Sequence, residues 1–507
     1  MRIESTEFSN GLAPSKFGLA RMASFAGLVV FGAAACWIAV LLIDKDTVTP
    51  GVLFSVLLLG IPALVGGTFG FREAIRVFSD FRPKIQWWHW FWFLTLFSSF
   101  VFRAPRTQAQ ISAEPLDAVA ALRIVPEVIV AAGLLLRLVF RRPDWLPSLF
   151  RGLVGALSIF ALVCLVSSIW SVNFSWTFYK SWEYLVDVSV LAVILATVES
   201  SATFKTLIDW TWMIFGLELI WIWIGLPIWP VETMEREGHR LTGAYPIVSA
   251  NEIGEFGAIL MLVALIRFKP LHGSCKNRAF YVFTFLLGFA SLFASETRSA
   301  MAGLAVAVVL VCIFSGRTKI AALIGLLSTP LIFFTGLGAF IWQFLEREQS
   351  ESELLSLSSR LQWWGDALHA FMQHPFTGLG AYAGSRFAVM AKVSDVPSLH
   401  SDYIEVLVGT SIWGLLPLLV SLLGTWVILV FYLRYRSLDP PDRQLAIEIV
   451  GVLAIVTVHS FFNQELTWHA PTLYLLVLGY AEFLRRKLAR RRREFLSPSL
   501  LWAQQPL

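Results

Sequence analysis

Residues 412–431 read IWGLLPLLVSLLGTWVILVF, twenty positions without a charged side chain. A helix of that length rises about 30 Å, the thickness of the hydrocarbon core of a bilayer. The run lies inside a longer apolar stretch, and similar stretches recur along the chain. Fourteen spans are expected, at approximately 23–43, 51–69, 87–102, 119–140, 150–170, 179–198, 206–228, 252–267, 279–295, 299–316, 319–342, 403–432, 444–462 and 471–485. Three of them (87–102, 252–267 and 471–485) are short, and 119–140 contains Arg123 and Glu127. The fold class that follows is all-α: a polytopic helical membrane protein of about fourteen transmembrane helices.

Composition agrees. Of 507 residues 57% are hydrophobic and 15% charged, with a mean hydropathy of +0.68. Soluble domains carry about 25% charged residues. The figures exclude a soluble enzyme, a disordered chain, a nucleic-acid binder and a disulfide scaffold. They argue against a transmembrane β-barrel, whose apolar residues would alternate instead of running continuously. Cys36, Cys164, Cys275 and Cys312 lack metal-ligand spacing, so no disulfide and no zinc site is expected. The first apolar run is long enough to span and no small-residue cleavage site follows it, so it reads as a retained helix.

Charge orients the map. With the N-terminus inside, the inner flanks hold well over half of the 40 Lys plus Arg. They include Arg485-Arg486-Lys487 and Arg490 to Arg493, as the positive-inside rule requires. Both termini are then cytoplasmic. The net charge of +5 reads as an orientation signal and an anchor to anionic lipid. Four regions result: N-terminal helices 1–150, core helices 151–342 with an outer loop at 229–251, a large outer loop 343–402, and C-terminal helices with a basic tail, 403–507.

Function tends to sit in long loops. Within the large loop, 359–372 has helical periodicity, with Leu361, Trp364, Leu368 and Phe371 expected on one face. It reads as an amphipathic helix on the outer membrane surface or capping a cavity. Pro375 ends it, and Gly378 and Gly380 make the turn that follows.

Three outer-face features can carry chemistry. One is His239-Arg240-Leu241-Thr242-Gly243, leading through Pro246 to Asn251. A second is the short link Ser295-Glu296-Thr297-Arg298-Ser299-Ala300. The third is the large loop, with Arg360, the Pro375–Gly380 turn and His400-Ser401-Asp402-Tyr403. An arginine fork makes bidentate, charge-assisted contacts to phosphate, and Arg240 and Arg298 are the best placed. Arg298 lies between two spans, close to the membrane plane, where charge is costly and usually paired or functional; Glu296 is the candidate partner. His400 ends the large loop beside a span, where an imidazole can take a proton near neutral pH. Glu127, Glu183, Asp187 and Glu218 fall within spans, where pairing with another helix is the simplest explanation.

The motifs in order are Arg240-Leu-Thr-Gly243 and Asn251, then Thr297-Arg298-Ser-Ala. After them come Ser359-Arg360, Trp364, Pro375, Gly378-Leu-Gly380 and His400. This order resembles the O-antigen ligase and polysaccharide polymerase superfamily, over about residues 150–485. The sequence departs at Ser401, where the family often has Asn, and in the spacing from Gly243 to Asn251. The resemblance implies a GT-C-like glycosyltransferase of the bacterial inner membrane, serving lipopolysaccharide or exopolysaccharide biosynthesis. Such enzymes move a glycan from undecaprenyl pyrophosphate to an acceptor hydroxyl on the periplasmic face. The acceptor is lipid A–core in a ligase and another lipid-linked chain in a polymerase, within a possible polysaccharide assembly complex.

No nucleotide, cofactor or metal is implied, and the outer loops show no cluster of acids to hold a metal. His400 would be the general base, with Arg240 and Arg298 meeting the leaving pyrophosphate, and attack opposite it would invert the anomeric centre. Arg360, Trp364, Pro375, Gly378, Gly380 and Asn251 would bind substrate. Two alternatives compete. A transporter or flippase of lipid-linked oligosaccharide would use Glu183, Asp187 and Glu218, but no paired repeat is seen. A non-catalytic scaffold would leave the arginines unexplained.

Overall fold

The computed structural model describes residues 73, 76–77, 84–102, 118–140, 144–235, 240–271, 273–275, 277–319, 359–392, 398–434, 439–468 and 471–496. The expected spans 23–43, 51–69 and nearly all of 319–342 lie outside these residues, as do His239 and His469. Each remaining expected span falls on a helix. In order they are α1 (Trp87–Ser99), α2 (Ala118–Phe140), α3 (Gly152–Val166), α4 (Phe174–Thr197), α5 (Ser201–Ile228) and α6 (Ala250–Phe268). Then come α7 (Arg278–Ser295), α8 (Arg298–Phe314), α9 (Arg360–Gln373), α10 (Asp402–Arg434), α11 (Pro440–Ser460) and α12 (Thr472–Leu496), α9 being the helix of the large loop. Five are long and apolar enough to cross a membrane: α3 with its 3₁₀ extension to Trp170, α5, α7, α10 and α11. Among the described residues there are no strands, only isolated bridges such as Met234 to Leu241 and Gly243 to Val248. The architecture is all-helical, because a spanning segment must satisfy its backbone internally.

Helix α6 is central and packs on α5, α7, α8 and α11. Its N-terminus is fixed by a capping box: the Ser249 hydroxyl accepts from the Glu252 N–H (3.2 Å), and Glu252 accepts from the Ser249 N–H (2.8 Å). It crosses α7 backbone to backbone. A Cβ on Gly257 would sit 2.7 Å from the Gly288 carbonyl oxygen, and one on Gly288 would sit 2.5 Å from that of Gly257. Small residues permit such approaches between membrane helices.

Helix α10 is broken. Ser411 has φ 60° and ψ −158°. The carbonyls of Val408 and Gly409 accept instead from the N–H groups of Leu379 and Gly380, both at 2.9 Å, and the Ser411 hydroxyl donates to the Pro375 carbonyl. Gly378 (φ 66°) and Gly380 (φ 96°) need the left-handed region, and a side chain at Gly378 would collide with the Gly409 carbonyl. The Pro375–Gly380 turn is therefore a clip that fastens the large loop to the break.

Two sequence expectations change. The apolar stripe of α9 does not form one face. Trp363, Trp364, Ala367, Ala370 and Phe371 pack inward against Val389, Met390, Leu399 and Val408. Leu361 and Leu368 are exposed, with Met372 and Phe376. The helix is apolar on two sides, one for protein and one left for lipid. The basic run within α12 is also less free than an anchor would be. Arg485 and Arg486 pair with Glu482 (2.7 and 2.9 Å), and Lys487 pairs with Asp442.

Replacing Gly288 with Val should separate α6 from α7 and destabilise the chain by at least about 1–3 kcal/mol, the usual range for overpacking. Thermal unfolding of the purified variant would show this as a lowered Tm. Gly365→Ala, which meets open space on α9, should leave Tm unchanged or slightly raised.

Candidate functional site

Arg240 ties the first two sequence motifs together. Its Nε donates to the Ser295 carbonyl (2.8 Å), and one terminal nitrogen donates to Asn251 Oδ1 (2.9 Å) and Thr297 Oγ1 (3.3 Å). The other terminal nitrogen pairs with Glu235 (2.9 Å). The Thr297 hydroxyl in turn donates to the Ala250 carbonyl (2.8 Å), and the Leu241 N–H to that of Ala294 (2.9 Å). Glu296, at φ 49°, makes the left-handed turn that lets α8 start at once after α7.

Arg298 and Arg360 join Arg240 within electrostatic reach. Burial, followed by the charges of Arg240 and Arg298, pushes the Arg360 guanidinium down to about 10, still protonated at neutral pH. Arg298 and Arg360 sit at helix starts, and Arg240 bonds to a third through Asn251. Asn251 is in the first turn of α6, Arg298 opens α8 and Arg360 opens α9. Such starts present unpaired N–H groups and partial positive charge. Three cations beside three helix N-termini form a basin for an anion.

His400 is held from both sides. The Leu399 carbonyl accepts from Trp364 Nε1 (2.9 Å), and the Leu399 N–H donates to Glu405 (2.7 Å). His400 itself is left-handed, φ 52°, and the Trp363 ring lies beside its imidazole. Two residues on, Asp402 accepts from the N–H groups of Glu465, Leu466 and Thr467 (2.8, 2.9 and 3.1 Å) and from the Thr467 hydroxyl (2.6 Å). That anchors the α11–α12 link against His400, where Asn463 hydrogen-bonds the imidazole. Burial first, then the charge of Arg360, pushes His400 down to about 4, against the Asn463 bond. The ring is neutral at pH 7 and able to accept a proton.

His400 lines a cavity of about 260 Å³ whose wall includes Glu218, Glu252, Glu255, Glu465 and Trp468. One group here has metal-ligand character: Glu255, His459 and Glu465 bring their ligand atoms within 4.8 Å of one another. His459 Nδ1 is 3.5 Å from Glu255 and 3.2 Å from Glu465. Two of the acids expected within spans have partners outside this cavity. Lys180 meets Glu183 at 2.5 Å, and Glu127 accepts from Ser98 at 2.8 Å.

Residues 283–419 match the family model described as O-antigen ligase. The match covers 137 of the chain's 507 residues. The matched segment contains Arg298, Arg360, Trp364, the Pro375–Gly380 turn and His400. No curated protein matches the chain. With five described helices long and apolar enough to cross a membrane, the chain is a membrane protein.

Not every residue singled out in the sequence faces the site in the same way. Asn251 reaches it by holding Arg240, and Trp364 by holding the segment that carries His400. Pro375, Gly378 and Gly380 contact the break in α10 and not the wall of the cavity. Asn463, Glu465 and Asp402 were missed. The one available signal was a polar Asn-Gln-Glu run, 463–465, closing an apolar helix.

Asp402→Ala should free the 463–467 link. The expected loss is about 2–4 kcal/mol, because hydrogen bonds to a charged acceptor contribute about 1.5–3 kcal/mol each and do not add fully. A lowered Tm together with faster amide exchange at 465–467 would register it; unchanged exchange there would refute the anchoring role.

Proposed function

We propose that the chain is a glycosyltransferase that moves a glycan from undecaprenyl pyrophosphate to an acceptor hydroxyl, without a metal and with inversion. The site would lie at the periplasmic face of the inner membrane, opposite the end carrying Arg485 and Arg486. The observation that supports this reading is the gathering of Arg298 and Arg360, each at a helix start, with the loop residue Arg240 within electrostatic reach, Arg360 in turn acting on His400. Like charges held together and partly desolvated are stabilised by a bound anion. A pyrophosphate is the anion that a lipid-linked glycan brings.

In the proposed reaction the acceptor oxygen attacks the anomeric carbon, and its proton passes to the neutral imidazole of His400. The bond from that carbon to the phosphate oxygen breaks, and its electron pair leaves on the pyrophosphate. The arginines meet the charge that develops there, an effect worth about 10²–10³-fold per donor removed. A positioned base contributes about 10²–10⁴-fold. The sugar–pyrophosphate bond supplies the free energy, so no nucleotide takes part.

Complementing a null strain with His400→Ala, Arg298→Ala or Arg240→Ala should leave lipid-linked glycan accumulating and mature product lost, at normal protein levels. Full product from a well-expressed His400→Ala chain would remove it as the base. The acid limb of the rate profile should fall near pH 4, not near 6.5, because the imidazole must be neutral to act. Arg360→Gln removes a neighbouring positive charge, so it should move that limb to higher pH. A limb that stays at 6.5 in the parent protein would exclude His400 as the titrating group.

A further inference from the structure

The site is divided by charge, and His400 stands at the division. On one side are the three arginines. On the other is the cavity, whose wall carries four glutamates, Glu218, Glu252, Glu255 and Glu465, against Arg123 as its one arginine. That cavity offers a pyrophosphate acceptor oxygens and no arginine cluster to pair with. Something else must fill it, since its polar groups are only partly satisfied from within. Glu252 accepts from the Ser249 N–H and Glu465 from Asn463, both at 2.8 Å. Glu255 is fully buried against the His459 ring, whose Nδ1 lies 3.5 Å away, and Glu218 Oε2 is buried without a hydrogen-bond partner. A buried acceptor left without a donor costs about 1–3 kcal/mol or more. A ligand rich in hydroxyl or ammonium donors removes that cost.

Resting on the glycosyltransferase reading, we infer that this cavity is the acceptor subsite and that it selects a neutral or amino-bearing sugar over a phosphorylated or carboxylated one. The volume suits a single sugar ring, being below the roughly 300–1,000 Å³ of pockets that take drug-sized ligands. Each carboxylate offers about four acceptor positions to hydroxyl or ammonium donors. Trp468 presents an aromatic face on the same wall, suited to the C–H side of a sugar. A ring seated here has His400 beside it, which places a hydroxyl where its proton can be taken. An anionic sugar would instead set its own acceptor oxygens against the acceptor oxygens of the wall, with Arg123 as the one arginine there to meet them.

The test is binding, measured apart from turnover. The full chain in lipid nanodiscs would be probed by saturation-transfer difference NMR with methyl glucoside, glucosamine, glucose 6-phosphate and glucuronate. Glucosamine and methyl glucoside should give signals at least about fivefold stronger than the two anions, and inorganic pyrophosphate should not displace them. Glu255→Gln keeps the shape of the side chain and should narrow the preference against the anions. Trp468→Ala should weaken all four probes, with Trp468→Phe restoring them if the ring itself is the contact. Equal binding of anionic and neutral probes overturns the inference, as does indifference to both variants in folded protein. Uptake of one Zn²⁺ per chain that Glu255→Gln abolishes would also overturn it, because Glu255, His459 and Glu465 would then serve an ion. Absent sugar binding with donor turnover intact would sink this inference alone. Turnover persisting in His400→Ala would sink the reading on which it rests.

Discussion

A single guanidinium holds the site in register. Arg240 comes from a loop, yet its five N–H groups reach the end of α7, the link to α8, the first turn of α6 and Glu235. Each of those contacts fixes something else. Ser295 and Thr297 fix where α8 begins and hence where Arg298 emerges, and Asn251 fixes the N-terminus of α6. A lysine could not replace it, because one ammonium cannot span four acceptors in a planar fork. The pairing with Glu235 and the neutral acceptors stabilises Arg240 only in part. The cluster it helps assemble retains an excess of positive charge beside Arg360, for which no acid pairs among the described residues.

The large loop is positioned by a different device. A continuous α10 would bond its own carbonyls and leave the 375–380 turn with nothing to hold. By breaking at Ser411, the helix offers the carbonyls of Val408 and Gly409 to the loop. The loop gains an attachment inside an apolar bundle, where an unpaired backbone group costs several kcal/mol. Irregular backbone at that depth is tolerated because both sides of the break are satisfied. The consequence reaches the chemistry: α9 is held near α10, and Trp364 on α9 holds the carbonyl that precedes His400.

These two devices separate what could be read in the sequence from what could not. Apolar runs as long as 412–431 dictate spans by length alone, and each expected span that the structure describes is a helix. Arg298 was legible because a link of a few residues between two such runs has little freedom. The break at Ser411 was not, since the partners of its carbonyls lie some thirty positions away and no local residue marks it. The stripe of α9 was misread because Leu361 and Leu368 are as apolar as Trp364 and Phe371, and periodicity cannot say which side is lipid and which protein. The cavity wall was invisible for a third reason. Glu218 and Glu255 lie on two helices and Glu465 on a link more than two hundred residues further on, and of the three only Glu218 stood out, as an acid inside a span.

The separation of charge across His400 also bears on why this imidazole is the group placed there. A base between a cationic basin and an acidic cavity feels both fields. Burial and then Arg360 lower its proton affinity, while the Asn463 bond acts the other way, and Asn463 is itself held by Glu465. A lysine in this position would be driven toward the neutral form by burial but would lack a second nitrogen for Asn463 to orient. A carboxylate would be drawn to the arginines and would occupy the place of the phosphate. An imidazole meets both demands, because it can be neutral beside three guanidinium groups and still be aimed by a hydrogen bond from the far side. Its neutrality follows first from burial and then from Arg360, so an anion bound at Arg360 would itself raise the basicity of His400 as the acceptor arrives.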